Sequence, residues 1–537
     1  MTDEFINKKF LIIDDFSDMR SAIRSILRSL EVTQIDQARD GNDAIAQMTG
    51  KRYDVVLCDY NLGIGKDGQQ VLEEARHHLL LNIDSIFIMI TAENTRDMVM
   101  SAVEYAPDSY LSKPFTKEIL KRRLDKLFER KADLKKVSRA MIAKDYNAAI
   151  TELDALIAIK PKNLPDLLKL KTEICMTANR YDDAMAIFER VLSEHEVSWA
   201  RLGMGKVLYW KKKHQQALDV FQQLIGLDPH LVTAYDWMAK TQAELKQFEA
   251  AEQTLHAAVK ISPRGLKRQQ QLGDLALSNG HPEQAETAFT RAVSLAKNSA
   301  LNHPALFAGL ARSKSSNNKH IEALKIIGEI TKTFPNQPEA VFYKATATAT
   351  VKQNQGDSAA ALEAIQTAER TIGQCGELAN SKLGLEMAKT YAQLGDHDKA
   401  TALIQSIIAN NHDDEEFLME LVQVCREAGF EYDAETAIRE IQQGVVKTNN
   451  TGVYLIKQGK FDDAIHLLHE AAEEMPGNKT INLNAAKAMI IKMEKFGASV
   501  DDILTVRRYV ERVQTLAPQD WRLHEVVSRL KNISPTV

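Results

Sequence analysis

From about residue 130 to the end of this 537-residue chain, alanine returns at a nearly fixed interval. The steps from Ala149 to Ala184, Ala217, Ala251 and Ala285 are 35, 33, 34 and 34. Proline follows twelve residues later in Ala149/Pro161, Ala217/Pro229, Ala251/Pro263, Ala323/Pro335 and Ala464/Pro476. Four residues after the alanine stands a large apolar side chain: Leu153, Phe188, Phe221, Leu255, Phe289. Twelve before it stands a small one: Gly205, Ala239, Gly273, Ala311, Ala388, Gly452. A period of this length holds two helices and two turns. Small residues let the helices of a hairpin approach, the large residue fills the groove, and proline ends the second helix. One hairpin cannot bury its apolar face alone, so the hairpins must stack.

This pattern resembles the tetratricopeptide repeat, which implies an all-α solenoid and a protein-binding role. We place it over residues 130–537 as about ten helical hairpins, the last ones irregular. Past Pro335 the spacing loosens: the steps that lead to Ala361 and Ala400 grow to 38 and 39, and the step from Ala434 to Ala464 shrinks to 30. A helix near Trp521 to Leu530 is expected to close the stack. No catalytic constellation appears in this region. His77-His78, His214 and the run Lys211-Lys212-Lys213-His214 read as solvated faces and turns. Repeats that clamp a C-terminal carboxylate carry Lys and Asn one turn apart. Lys169 with Glu173, and Asp236 with Lys240, depart from that pattern and disfavour that use.

The stretch 1–129 follows another rule. Short apolar runs, too short for helices, each end on a polar residue. Phe10 to Ile13 runs into Asp14-Asp15, Val55 to Cys58 into Asp59, Ile86 to Ile90 into Thr91, and Tyr110 to Ser112 into Lys113-Pro114. A further short strand is expected over 32–35. Helical segments are expected over 18–30, 42–48, after Asp67-Gly68, and over 95–105. The alternation implies a doubly wound parallel sheet. Ligands collect at the carboxyl ends of such strands. A strand-end Asp that merely caps a turn is the alternative for Asp59 taken singly.

Three carboxylates, a hydroxyl and an ammonium in that order resemble the receiver domain of bacterial two-component response regulators, an α/β fold of the flavodoxin and CheY type. The resemblance implies Asp59 as phosphoacceptor, with Thr91 and Lys113 contacting the phosphoryl oxygens. It implies Mg²⁺ held directly by Asp15, Asp59 and the backbone carbonyl of Asn61, with Asp14 acting largely through water. Such a cluster of acids repels itself, and a hard divalent cation relieves it. It further implies Tyr110 as a switch aromatic, whose bland reading is a half-buried strand residue. The helix over 95–105, the strand before Lys113 and the helix after Pro114 would form the surface read by partners. Asn61 and Glu93 match the pair found in chemotaxis-type receivers, which implies that they tune dephosphorylation. The Lys113-Pro114 bond is expected to be cis. One departure is the loop Gly63 to Gly68, one residue longer than usual and glycine-rich, hence expected to be mobile.

Between Pro114 and Pro161 there is neither Gly nor Pro. Either one stiff helix couples the two regions, or two helices meet at a short break near Lys131-Ala132-Asp133. Lys+Arg 68 against Asp+Glu 73 leaves no basic footprint, so nucleic acid is not an expected partner. Cys58, Cys175, Cys375 and Cys425 lie far apart and read as reduced thiols. No signal peptide or membrane insertion is expected, which suggests a cytoplasmic protein. The expectation is a response regulator, not an enzyme beyond its own phosphoryl chemistry. A histidine kinase would phosphorylate it, and its output would be phosphorylation-dependent binding of another signalling protein by the solenoid. The alternative is a phosphate sink that drains a shared kinase, the repeats serving as docking scaffold. Self-association into a homodimer stays open.

Overall fold

The computed structural model describes residues 5, 7–92, 107–131, 134–375, 382–427, 432–517 and 520–533. They form two compact units, Met1–Asn279 with Thr287–His303, and Gly280–Glu286 with Pro304–Val537.

The first unit begins with five parallel strands, β1 (Lys9–Ile13), β2 (Gln34–Ala38), β3 (Val55–Asp59), β4 (Ile86–Thr91) and β5 (Ser109–Ser112), in the order β2-β1-β3-β4-β5. Between and after them run α1 (Ser17–Ser29), α2 (Gly41–Gly50), α3 (Gly68–His77) and α4 (Lys117–Arg130). The helix expected over 95–105 lies outside the described residues. Every residue of β3 and β4 is buried, which accounts for their unbroken apolar runs. Alternate side chains feed two cores. Phe10, Ile12, Leu57 and Ile88 join Ile23 of α1 and Leu124 of α4, while Leu11, Ile13, Val56 and Met89 join Ala44 of α2 and Val71 of α3. The sheet is therefore doubly wound.

The second strand differs from the sequence expectation. It covers Gln34–Ala38 and not 32–35, pairing with β1 from Lys9↔Gln34 to Ile13↔Ala38. As an edge strand it tolerates polar residues, and Asp36 accepts a 2.8 Å hydrogen bond from the Tyr53 hydroxyl.

At the junction, α4 ends at Arg130 and a separate helix spans Lys135–Ile142. Of the two arrangements left open, the chain adopts two helices. The joint is braced: the Arg130 guanidinium donates to both Asp166 oxygens at 3.0 and 2.6 Å, and its carbonyl accepts from Asn163 at 2.8 Å. Lys131 pairs with Asp108 at 2.6 Å.

Helical hairpins follow. Ala149, Ala184, Ala217, Ala251, Ala285, Ala323, Ala361, Ala400, Ala434 and Ala464 are all at most 4% exposed, as close helix approach requires. A Cβ built on Gly205 would lie 2.4 Å from the Phe221 ring, and one on Gly273 2.6 Å from Phe289. Within the second unit, Gly452 meets Leu468 in the same way at 2.6 Å. The small–large pairing expected from the spacing is thus the seam of each hairpin.

A further regularity escapes the sequence reading. Five residues before the repeat alanine the backbone turns left-handed, at Lys144, Asn179, Lys212, Lys246, Gly280, Asn318, Gly356, Gly395 and Gly459. Positive φ ends the first helix and reverses the chain, and Gly or Asn carries it with least strain.

The second unit loses its period where one helix runs unbroken from Ala434 to Lys457. That absorbs a turn and explains the shortened step between Ala434 and Ala464. Helices Lys479–Phe496, Val500–Leu516 and Trp521–Ile533 close this unit around Met489, Tyr509, Val513 and Val526. No helix among the described residues is long and apolar enough to cross a membrane.

Candidate functional site

The strand order reverses at β1, which lies between β2 and β3. A crevice opens there at the carboxyl ends of the strands. Register carries the side chains to it. Ile13 pairs with Cys58, Asp59 with Ile90, and Thr91 with Ser112, so Asp14, Asp59, Thr91 and Lys113 emerge side by side.

Lys113 Nζ lies 2.9 Å from Asp14 Oδ2 and 3.0 Å from Asp59 Oδ2. The other oxygens of these acids are held by backbone, Asp59 Oδ1 by the Tyr60 N–H at 2.9 Å and Asp14 Oδ1 by the Phe16 N–H at 2.9 Å. The Lys113-Pro114 bond is cis, as expected. Asp14, Asp59 and Thr91 are 1%, 7% and 8% exposed. Burial raises the pKa of the Asp59 carboxyl, Lys113 opposes this, and Asp14 adds repulsion. Burial alone would lower Lys113, but its two carboxylate partners outweigh it and hold the ammonium above the ordinary lysine value.

Oxygens of Asp14, Asp15 and Asp59 all lie within 4.8 Å of one another. Asp15 Oδ1 is buried and has no hydrogen-bond partner. Three carboxylates against one ammonium leave two negative charges in excess, and an orphaned buried oxygen is costly. Hard oxygen donors with this excess fit a magnesium ion, which would take Asp14, Asp15 and Asp59 as ligands.

A cavity of about 360 Å³ opens over these groups, lined by Phe16, Asp59, Tyr60, Asn61, Asp67, Thr91, Ala92, Lys113 and Arg264. Asn61 lies at its wall, its side-chain oxygen accepting from the Gly63 N–H at 3.2 Å. Tyr110 does not line it. It pairs with Met89 two residues back from the strand tip and is half-buried against the α3-side core. Burial pushes its phenol well above the ordinary value. Glu93 lies outside the described residues.

Two features were absent from the sequence reading. Gly68 opens α3 because a Cβ there would stand 2.2 Å from the Asp59 carbonyl oxygen. Its N–H donates to the Tyr60 carbonyl at 2.8 Å, which closes the loop after β3. That loop is also tied down. The Gly65 carbonyl accepts from Asn298 at 2.8 Å, and Asp67 accepts from Arg264 at 3.0 Å. The glycine-rich loop expected to be mobile thus makes two long-range hydrogen bonds. No local pattern distinguishes Arg264 from the rest of the chain's lysines and arginines.

A family model described as response regulator receiver domain matches residues 10–125. Models described as tetratricopeptide repeat match residues 199–230, 266–299 and 455–490. The chemotaxis protein CheY of Pseudomonas aeruginosa is 36% identical over 122 residues, 23% of this chain and 97% of that protein. The chemotaxis protein CheY-3 of Vibrio cholerae is 37% identical over 124 residues, 23% of this chain and 94% of that protein. Among solved structures, the chemotaxis response regulator CheY4 of Vibrio cholerae matches 22% of this chain and 98% of its own at 23% identity and a TM-score of 0.21. A tetratricopeptide repeat protein from Parabacteroides merdae matches 45% of this chain and 93% of its own at 16% identity and a TM-score of 0.31.

Proposed function

We propose, for a chain that belongs to the response regulator receiver family and carries tetratricopeptide repeats, that Asp59 accepts a phosphoryl group from a histidine kinase and that the solenoid delivers the output by binding a protein. The observation that carries this reading is the Lys113 ammonium bridging Asp14 and Asp59 beside an unpartnered Asp15 oxygen. In this reading residues 1–129 are the phosphorylated part and 130–537 the binding part.

An Asp59 oxygen attacks phosphorus, a P–O bond forms, and the P–N bond to the kinase histidine breaks as that nitrogen leaves. Lys113 then turns from the carboxylates toward a phosphoryl oxygen, and Thr91 donates to another. A magnesium ion on Asp14, Asp15, Asp59 and the Asn61 carbonyl would supply charge neutralisation for this transfer. Catalysis of this kind is positioning and electrostatics. Hydrolysis would reverse the modification, water reaching the acyl phosphate past Asn61 and Glu93. Tyr110 would follow Thr91 inward and alter the surface that partners read.

Asn61 lies at the wall of the Asp59 cavity, and this favours a second reading, a phosphate sink with fast hydrolysis and phosphate-independent solenoid binding. One experiment addresses both. Incubation with acetyl phosphate and Mg²⁺ should add one phosphoryl group by intact mass, lost in Asp59→Asn. An unmodified wild type overturns the acceptor reading. Capture of the partner with equal affinity before and after modification selects the sink.

A further inference from the structure

Arg264 lies in the turn between helices Phe248–Ile261 and Leu266–Ser278, some two hundred residues beyond the acid pocket in sequence, yet it lines that pocket's cavity. Its guanidinium donates to the Tyr60 hydroxyl at 2.6 Å and to Asp67 at 3.0 Å, and it lies over the Tyr60 ring, 5.8 Å from the centroid. Tyr60 in turn donates its backbone N–H to Asp59. One residue thus touches both the acid and the solenoid's arginine.

The contact is not isolated. Asn298 stands one repeat period after Arg264, at the equivalent place in the next repeat, and donates to the Gly65 carbonyl at 2.8 Å. Ser299 donates to Glu73 at 2.7 Å, and the Leu295 carbonyl accepts from Gln70 at 3.4 Å. Two consecutive repeat turns therefore grip the loop after β3 and the start of α3, and all these residues belong to the first unit.

Charge gives the seam a direction. With a divalent cation on Asp14, Asp15 and Asp59, the acids, the ion and Lys113 sum to zero. Phosphorylation turns the Asp59 carboxylate, already counted at −1, into an acyl phosphate of about −2, so the site gains about one negative charge. Among the described residues lining the cavity, Lys113 and Arg264 are the cations. Arg264 uses two of its five N–H donors on Tyr60 and Asp67, and a planar fork of this kind suits phosphoryl oxygens.

We propose that Arg264 is a phosphoryl-binding residue supplied by the solenoid itself, and that the seam of Arg264, Asn298 and Ser299 against the β3–α3 loop tightens when Asp59 is modified. The repeats then read the acceptor directly, in addition to any surface shift through Tyr110. This rests on the acceptor reading above.

The test uses the full chain with beryllofluoride and Mg²⁺ as the phosphoryl mimic. Hydrogen exchange is followed at residues 59–70 and 295–300, and the mimic is titrated to its midpoint. Wild type should slow at both stretches. Arg264→Ala should still slow near Asp59 but lose the slowing at 295–300, with its midpoint weakened about tenfold, the scale of one charge-assisted hydrogen bond. Arg264→Lys should fall between. Asn298→Ala, which leaves the cavity lining intact, should keep the wild-type midpoint to within about threefold and lose slowing at the seam. An Arg264→Ala protein with unchanged midpoint and unchanged seam overturns this proposal and leaves the acceptor reading standing. Faster exchange at 295–300 in wild type overturns it too, since the mimic would then release the seam. A wild type silent at both stretches overturns the acceptor reading and this proposal together.

Discussion

Gly68 and Gly205 both make room by lacking a methyl group, but what fills the room differs. At Gly68 the neighbour is the backbone carbonyl of Asp59, 2.2 Å from the missing Cβ, so the start of α3 is pressed against the acid strand. At Gly205 the neighbour is the Phe221 ring, 2.4 Å from the missing Cβ, and the space becomes an apolar seam between two helices. In the sheet region close approach seats α3 against the strand that carries Asp59, and strand register crowds the like charges at the tips. The repeat region uses it to seat aromatic rings. Crowded charges are poised to respond to a ligand, whereas seated rings are poised to hold shape.

The contrast breaks most sharply at Lys113. In Lys113→Met the carboxylates lose their common cation, and removing one partner of a buried ion pair costs about 3–5 kcal/mol. A denaturant melt without divalent cation should register that loss, and saturating Mg²⁺ should recover part of it. An equal loss with and without Mg²⁺ would mean that the acids are structural only.

The glycines sharpen the contrast. Gly68→Ala meets backbone that cannot yield and should cost about 2–3 kcal/mol. Gly205→Ala meets a ring that can tilt, and it gains up to about 1 kcal/mol of helix propensity, so its net cost should be about 1 kcal/mol. Chemical denaturation of both variants ranks them; the reverse order would refute the account of the two clefts.

An effect of similar size to that at Gly205 concerns an acid neutralised by lysines within the second unit. Burial would raise the Glu286 pKa, but hydrogen bonds from Lys314 at 2.9 Å, Lys319 at 2.9 Å and Asn317 at 2.7 Å overcome it and lower the pKa from 4.5 to about 2. A lowered carboxyl pKa adds stability that is fully present above 4.5 and lost as pH falls through about 2. Lys319 is half-exposed, which screens its share. Glu286→Gln should therefore cost about 1–2 kcal/mol at neutral pH, with the deficit closing as the medium is acidified. A deficit that stays constant across the acid range would place the effect in packing.

The parts legible in the sequence are those written locally. Asp14, Asp59, Thr91 and Lys113 each end an apolar run, and a run buried on both faces cannot be mistaken for an amphipathic helix of that length. The repeat alanines are visible because every hairpin needs a small residue where its helices cross. β2 lies two to three residues beyond the span its apolar residues suggest, because an edge strand carries polar side chains such as Asp36 and Gln37. The left-handed turns escaped because Lys, Asn and Gly share the position, and φ has no trace in residue type when Lys carries it.

By itself the sequence determined the two kinds of fold, the order of the acids and the seams of the hairpins, because helix and strand periods act between near neighbours. Only the tertiary structure decided that Arg264 and Asn298 hold the loop beside Asp59. Such a meeting depends on how many repeats lie between the two partners and on how the hairpins curve. Those quantities accumulate over some two hundred residues and leave no mark at either end.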